Sequence, residues 1–432
     1  MVILFVLLVL AVLVAANWYL WRRLFRDTTQ APGAVRRAGA VLIAGGWALT
    51  IAAVATERAG APFWLQRVLA WPGFLWMALS IYLLLAVVAG EVVRPLLRRF
   101  LERRAGAETA VRQPEPVPAG TAPMPDRDPE PEPVPAGTAP TPDPDPDPES
   151  AAAAPPPLPS RRLFVSRVVG GAAAAAAVGT VGYGTYGVLK GPTVKRVTVP
   201  LAKLPRAAHG YRIAVVSDIH LSPVLGRGFA QKVVDTINGT QPDLIAVVGD
   251  LVDGSVKDLG PAAAPLAQLR ARHGAYFVTG NHEYFSGAEQ WVEEVRRLGM
   301  RPLENARTEL AHFDLAGVND VSGESEGQGP DFAKALGDRD TARACVLLAH
   351  QPVQIHDAVE HGVDLQLSGH THGGQLWPGN FIASAANPTL AGLERYGDTQ
   401  LYVSRGAGAW GPPTRVGAES DITVIELASK QA

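Results

Sequence analysis

Two histidines separated by one residue, His370 and His372, lie between glycines directly after a short apolar run. That run, residues 363–367, predicts a buried strand. Imidazole is a common metal ligand at neutral pH, and glycine lets the backbone pass close to a bound ion. The pair therefore indicates a metal-binding turn at a strand end, although an H-x-H pair alone is a nonspecific signal.

Four earlier apolar runs also end in residues of ligand type. These runs are 212–217, 244–248, 275–279 and 344–348, followed by D-x-H (Asp218, His220), G-D-x-x-D (Asp250, Asp253), G-N-H-E (Asn281, His282, Glu283) and A-H-x-P (His350). A turn or a helix cap would explain one such end, but it explains five poorly. Because open α/β sheets place their sites at the carboxyl ends of strands, we expect these side chains to converge.

Helices that position these strand ends are predicted between the apolar runs. Amphipathic stretches at 229–239, 262–272 and 289–298 predict three helices. Strands that alternate with such helices are typical of an α/β or α+β layered domain, here residues 191–432.

The five blocks together resemble the calcineurin-like metallophosphoesterase superfamily, and within it the membrane-associated or exported bacterial phosphoesterases. The resemblance covers about residues 194–427 and includes a closing loop with Arg405 and Arg415. It implies an α/β sandwich with two central mixed sheets flanked by helices. Two positions depart from the pattern: Gly254 stands where many relatives have Arg, and Glu283 where many have Asp. Both lie beside predicted ligands and bear on substrate preference.

The resemblance further implies a centre of two divalent metal ions, to which this chain would contribute seven ligands. Asp218, His220 and His372 would hold one ion, Asn281, His350 and His370 the other, and Asp250 would bridge them. Mixed nitrogen and oxygen ligands suit Mn, Fe or Zn better than calcium. Such a pair of ions would activate a bridging hydroxide to attack a phosphate mono- or diester.

Two further residues are candidates for roles beside the ions. We expect His282 to contact a phosphate oxygen and protonate the leaving group, the alternative being a core histidine. Asp253 would either orient a ligand or close a turn. Trp377, Asn380 and Trp410 lie in loops near the metal blocks, where they line a substrate cleft or simply pack.

Composition restricts the classes of partner that the chain is expected to bind. The formal net charge is -2, and the region after Lys190 contains no dense Lys/Arg cluster, so no nucleic acid is expected. The single cysteine, Cys345, excludes an intrachain disulfide framework and is predicted to be buried.

Residues 1–104 contain three apolar runs long enough to span a bilayer: 2–20, 38–55 and 68–93. A cleaved signal peptide is the alternative for the first, although tryptophans and arginines follow it like an interfacial anchor. Arginines cluster between the first two runs and after the third. The positive-inside rule then places the N-terminus outside and residue 94 onward in the cytoplasm.

Residues 105–159 are rich in Pro, Asp and Glu, which predicts a disordered linker; recognition by a proline-binding partner is the alternative. Residues 160–190 begin with Arg161 and Arg162 before a weakly apolar run. They indicate either a twin-arginine-like export signal or a fourth transmembrane helix anchored by arginines, and cleavage is left open. Both interpretations place residues 191–432 outside the cytoplasm.

These features favour a multi-pass membrane protein with an extracytoplasmic metal-dependent phosphoesterase domain. The alternative is a non-catalytic membrane signalling or scaffold protein whose phosphoesterase-like domain only binds a ligand. Tethering to a bilayer suggests a lipid or an envelope-linked phosphate ester as substrate. The sequence does not indicate an oligomeric state.

Overall fold

A bundle of long helices precedes a two-sheet domain in the computed structural model, which describes residues 2–111 and 160–431. The predicted linker 105–159 lies outside the described residues from position 112 onward. The described α-helices are α1 (Val2–Trp21), α2 (Ala34–Arg58), α3 (Phe63–Val111), α4 (Arg161–Leu189), α5 (Arg227–Gly239), α6 (Val256–Ala263), α7 (Asn281–Ser286), α8 (Ala288–Arg297), α9 (Phe332–Leu336), α10 (Ile355–Glu360) and α11 (Gly379–Ala386). The described strands are β1 (Thr193–Leu201), β2 (Tyr211–Val216), β3 (Leu244–Val248), β4 (Ala275–Val278), β5 (Arg301–Pro302), β6 (Ala306–Glu309), β7 (Asp314–Gly317), β8 (Cys345–Leu348), β9 (Leu365–Ser368), β10 (Gly392–Tyr396), β11 (Thr399–Val403) and β12 (Asp421–Ser429).

Four helical segments of the described chain are long and apolar enough to cross a membrane: Leu7–Arg26, Ala34–Arg58, Phe63–Arg104 and Arg161–Leu189. Each predicted span lies within one of the helices α1 to α4. Small residues allow α2 and α3 to approach closely, since Gly46 packs on the ring of Trp76. The Thr50 hydroxyl donates to the Gly73 carbonyl at 2.8 Å across the same contact.

The domain after α4 contains two six-stranded sheets, in the order β1-β12-β2-β3-β4-β5 and β10-β11-β9-β8-β7-β6. In the first sheet β12 pairs antiparallel with β2, whereas β2, β3, β4 and β5 run parallel. In the second sheet β11, β9, β8 and β7 are parallel, and β10 and β6 are antiparallel edges. The prediction of two mixed sheets flanked by helices is confirmed.

Alternation along the strands builds the layers, because successive side chains point to opposite faces of a sheet. On β2, Ile213 and Val215 face the second sheet, whereas Ala214 and Val216 face the layer of α5, α6 and α8. The second sheet carries α9 and α10 on its outer face. Cys345 is buried in that outer layer, as the sequence predicts.

One predicted helix is misplaced. The stretch 262–272 was expected to be helical, but α6 covers Val256–Ala263 and a 3-10 turn covers Ala264–Gln268. Ser255 starts the helix earlier because its side chain accepts from the Asp258 backbone at 3.3 Å. Pro265 has no N–H to donate, and an α-helix continuing through this point would need one.

Candidate metal centre

The predicted ligands converge where strands of both sheets end. Asp218 follows β2, Asp250 follows β3 and Asn281 follows β4, while His350 and His370 follow β8 and β9. Two sets of predicted ligands each have ligand atoms within 4.8 Å of one another: Asp218 with His220 and His372, and Asp250 with His350 and His370. A third group, His220 with Asp250 and His282, links the two sets. Side chains up to 154 positions apart therefore share one neighbourhood.

Asp250 lies between the two sets. Its Oδ2 is 3.1 Å from His350 Nε2 and 3.7 Å from His220 Nε2, and its Oδ1 accepts from the His282 backbone at 2.9 Å. Burial raises the pKa of Asp250, but the neighbouring histidines, led by His350, lower it below its usual range. This carboxylate therefore carries charge at neutral pH in contact with both sets.

The first set contains His220, His372 and Asp218. His220 Nε2 lies 3.0 Å from His372 Nε2, which in turn lies 3.4 Å from Asp218 Oδ1. Burial, with the neighbouring charges of His220 and Arg415, holds the pKa of His372 well below its ordinary value. His372 is therefore neutral, which is the form that binds a metal ion.

His350 and His370 belong to the second set with Asp250, and Asn281 lies beside them. His370 Nδ1 lies 3.0 Å from the Asn281 side-chain oxygen. His350 Nδ1 donates to the Val248 carbonyl at 2.9 Å, which directs its Nε2 toward Asp250. That nitrogen is buried and lies 3.1 Å from Asp250 Oδ2.

The surroundings of His350 provide the test of whether these residues fit a cation. Burial lowers the pKa of His350, but the Asp250 carboxylate raises it more, and the net pKa lies well above the ordinary value. The space between these two groups thus attracts positive charge. A divalent cation in place of the proton on His350 Nε2 would bind both that nitrogen and the carboxylate of Asp250, so the donor set fits the metals that the sequence implies.

The backbone at this edge adopts conformations that side chains rarely allow. The φ angles are positive at five of the converging residues: Asp218 (52°), His220 (47°), Asp250 (52°), His370 (73°) and His372 (53°). A left-handed residue other than glycine costs roughly 1–2 kcal/mol. Such strain persists where the surrounding structure holds it, and it concentrates at functional sites.

Asp253 contacts both His220, a predicted ligand, and His282, the other candidate residue beside the ligands. Its Oδ1 is 2.8 Å from His220 Nδ1 and 2.7 Å from His282 Nδ1. Burial lowers the pKa of His282, but the hydrogen bond and charge of Asp253 outweigh it and raise the pKa to about 9. His282 is therefore protonated at neutral pH.

Glu283 has a larger part in this geometry than the sequence suggested. It is fully buried and accepts from the backbone nitrogens of Asp250 (2.9 Å), Leu251 (2.8 Å) and Gly280 (2.6 Å). Burial, and then the charge of Asp250, raises its pKa to about 7. The spacing of Gly280 and Glu283, which matches the start of a capped helix, is the signal that could have revealed this role.

Arg415 is the second underestimated residue. Its buried guanidinium donates to the carbonyls of Gly408 (2.6 Å) and His372 (3.0 Å), and its Nη2 lies 3.1 Å from His372 Nδ1. Burial lowers its pKa to about 10, so it remains charged at neutral pH. It fixes the loop of His372 against the closing loop, a contact between distant segments that no local pattern indicates.

The loop residues that the sequence left open lie around the centre. The rings of Trp410 and His282 are 5.7 Å apart, and Trp377 and Trp410 are about half exposed. Asn380 packs against Gly374, two residues after His372. In contrast, His273 stacks on Tyr211 at the opposite edge of the first sheet, away from the centre.

Comparisons with known proteins agree with this geometry. The family model described as calcineurin-like phosphoesterase matches residues 211–374. A transmembrane protein with metallophosphoesterase domain from Danio rerio is 39% identical over 264 residues, which cover 58% of this chain but only 60% of that protein. An uncharacterized metallophosphoesterase of Helicobacter pylori is 36% identical over 276 residues, which cover 63% of this chain and 74% of that protein. A dimetal phosphatase from Danio rerio with a solved structure is 12% identical in sequence. The match covers 51% of this chain and 93% of the phosphatase chain, with a TM-score of 0.37.

Proposed function

Because the chain belongs to the calcineurin-like metallophosphoesterase family, we propose that it is a membrane-tethered hydrolase that cleaves a phosphate mono- or diester with two divalent metal ions. The position of Asp250, which belongs to one set of ligand atoms and also contacts His220 of the other, is the observation that carries this proposal. One carboxylate in contact with both sets is the arrangement that two neighbouring cations require, whereas a single-ion site needs one set only.

The side chains divide the work of holding the ions. Asp218, His220 and His372 would hold one, Asn281, His350 and His370 the other, and Asp250 both. Two divalent cations, when bound, lower the pKa of a water molecule between them and neutralise charge on phosphate oxygens. Asp253, Glu283 and Arg415 hold ligand side chains or ligand loops in place, and such supporting contacts maintain metal affinity.

His282 is the proposed proton donor. Asp253 binds its Nδ1 at 2.7 Å, which leaves Nε2 to face a substrate bound at the centre. A pKa of about 9 keeps the ring protonated at neutral pH, as a general acid requires. The cationic ring would bind a phosphate oxygen and then give its proton to the leaving group.

The tether is proposed from the helices. The described chain contains four segments apolar enough to cross a bilayer, and the relative from Danio rerio is named a transmembrane protein. Arginine placement supports a multi-pass arrangement with the hydrolase domain outside the cytoplasm.

The proposal is tested on the full chain in detergent, with an aryl phosphate monoester and a diester as probes and added Mn. We expect hydrolysis of at least one probe and about two metal ions per chain. His282→Ala should lower the rate by roughly a hundredfold to ten-thousandfold, the range of general acid catalysis, without loss of metal. The matched control is His209→Ala, because His209 is exposed and matches none of the five blocks.

Each outcome decides between the candidate functions. Hydrolysis that depends on His282 while metal content stays constant supports the enzyme. Two bound ions without hydrolysis of either probe favour the non-catalytic ligand-binding protein. A chain that binds no ion contradicts the proposed centre itself.

A further inference from the structure

Large apolar side chains surround the metal centre on the side of the helix bundle. We call Phe285, Trp377, Phe381, Ile382 and Trp410 the apolar rim. Phe381 and Ile382, on α11, are 64% and 77% exposed. Phe285 and Trp410 are likewise exposed, and their rings lie 5.5 and 5.7 Å from the ring of His282. The rim therefore leads from the surface of the domain to the proposed proton donor.

The two loops of the rim are joined to each other and to the ligand loop. Gln375 lies three residues after His372, and its side chain donates to the Trp410 carbonyl at 2.8 Å and accepts from the Trp410 backbone at 3.0 Å. The Trp377 backbone donates to the Val416 carbonyl at 2.9 Å. Through these hydrogen bonds, a displacement of α11 would also displace the loop of His372.

The rim also contacts the bundle. The hydroxyl of Tyr82, on α3, donates to the Trp377 carbonyl at 2.9 Å. Leu376 and Val416 pack against the apolar cluster of the bundle, and Thr185 of α4 shares a hydrogen bond of 2.8 Å with Thr414. The segment that precedes α11 therefore lies along the side of the membrane helices.

The level of Tyr82 places this contact at hydrocarbon depth. Residues 68–90 of α3 contain no charged residue, and Tyr82 lies fifteen positions after Arg67 and nine before Glu91. At 1.5 Å per residue these separations are about 22 and 13 Å, well inside a hydrocarbon layer of about 30 Å. A backbone carbonyl at this depth needs an internal partner, which Tyr82 supplies to Trp377.

The composition of the segment fits the same environment. Residues 373–393 contain no charged side chain, and none of the residues of α11 is fully buried within the protein. An exposed Phe–Ile pair beside helices that are apolar enough to cross a bilayer is a surface that lipid tails would cover. Leu376, just before α11, packs on the same helix bundle whose outer faces would contact lipid tails.

The centre itself opens beside the bundle. Glu57, at the end of α2, lies within electrostatic range of Asp253 and His282. Gly411, next to Trp410, lies against Met77 of α3, since a Cβ at position 411 would be 3.6 Å from Met77 Cε. A molecule that reaches His282 past the rim therefore comes from the membrane side.

We propose that the apolar rim inserts into the bilayer and that the substrate is a membrane lipid carrying a phosphate ester, whose tail stays among the rim side chains. The lipid part rests on the proposed function. In the reaction, water adds its oxygen to phosphorus, the bond from phosphorus to the leaving oxygen breaks, and that oxygen takes a proton. The products are a phosphate or phosphomonoester and a lipid or head-group alcohol.

Insertion is tested with a fluorophore on the full chain in phosphatidylcholine vesicles that carry nitroxide on the acyl chains. Ile382→Cys provides the attachment site, and Phe381→Cys is the second variant. The native Cys345 is buried, and burial raises its thiol pKa to about 12, so it stays unlabelled. The control is Val359→Cys, since Val359 is 37% exposed on α10 and lies near Gly397 at the opposite edge of the second sheet.

We expect strong quenching at positions 381 and 382 and none at position 359. Quenching at 381 and 382 no stronger than at 359 would overturn insertion, and would mean that a protein or water covers the rim. This result is independent of catalysis, so it also stands if the proposed hydrolase activity fails.

The substrate class is tested with vesicles containing phosphatidic acid, a monoester, or phosphatidylglycerol, a diester, against soluble aryl phosphates. The double variant Phe381→Ser/Ile382→Ser should lower the ratio of lipid to aryl phosphate hydrolysis about tenfold, because binding energy from the tail is lost. Val359→Ser should leave that ratio unchanged. A wild-type chain that cleaves aryl phosphates but neither lipid, or a ratio unaffected by the double variant, overturns the lipid proposal while the proposed function stands.

Discussion

The two ends of β3 carry one aspartate each, and the two residues have little else in common. Asp243, before the strand, accepts from the Arg212 backbone at 2.9 Å and lies 3.6 Å from the exposed Arg272. Asp250, after the strand, is almost fully buried at a φ of 52° and faces His220 and His350. The same side chain binds the backbone of the neighbouring strand β2 at one edge of the sheet and joins two sets of ligand atoms at the other.

The comparison shows at which edge of the sheet the fold accepts unfavourable burial and backbone strain. At the amino-end edge, charges remain near water, where an ion pair contributes about 0–1 kcal/mol. At the carboxyl-end edge, burial and left-handed backbone are both unfavourable, and only contacts among distant loops hold them. Substitutions at the two edges should therefore differ in kind as well as in size.

The largest effect is expected for Asp250→Asn. The amide keeps the shape of the side chain but removes the charge that faces both sets of ligand atoms. Turnover of an aryl phosphate should fall by about a thousandfold or more, with loss of bound metal. Metal analysis and initial rates on the purified chain measure both; full metal occupancy with normal rates would show that Asp250 is not shared between two ions.

An intermediate effect is expected for Gly280→Ala, at the carboxyl end of β4. A Cβ there would overlap the backbone nitrogen and carboxylate of Asp250. Displacing that carboxylate by a fraction of an ångström to about 1 Å should slow turnover by about a hundredfold.

The matched change is Gly274→Ala, at the amino end of the same strand. Gly274 has open space but a φ of 86°, so alanine should lower the free energy of unfolding by about 1 kcal/mol through backbone strain. Its rate and metal content should match the wild type. Equal loss of activity in both variants would contradict the contrast between the two edges.

The smallest effect is expected for Asp243→Asn. The ion pairs it removes are partly exposed, so the free energy of unfolding should fall by at most about 1 kcal/mol in denaturant titration. Hydrolysis should stay within about twofold of wild type. A large drop in activity would mean that the amino-end edge communicates with the centre.

Much of this architecture follows from local patterns. The apolar runs placed β2, β3, β4, β8 and β9 within one or two residues, and long apolar stretches indicated the helices that are long and apolar enough to cross a membrane, the fourth only as one of two alternatives. Continuous apolar runs locate these strands because the strands are short and buried on both faces. The helix predicted at 262–272 is not observed because Pro265 interrupts a stretch whose apolar spacing is helical.

The residue types at the strand ends, and the family that their order indicates, come from the sequence alone. It does not determine the left-handed backbone at Asp218, His220, Asp250, His370 and His372, since that strain is supported by contacts between remote segments. The roles of Glu283 and Arg415 likewise depend on which backbone groups the folded chain leaves without partners. The meeting of Tyr82 with Trp377, separated by 295 positions, is a tertiary event, because nothing local to either residue requires the other.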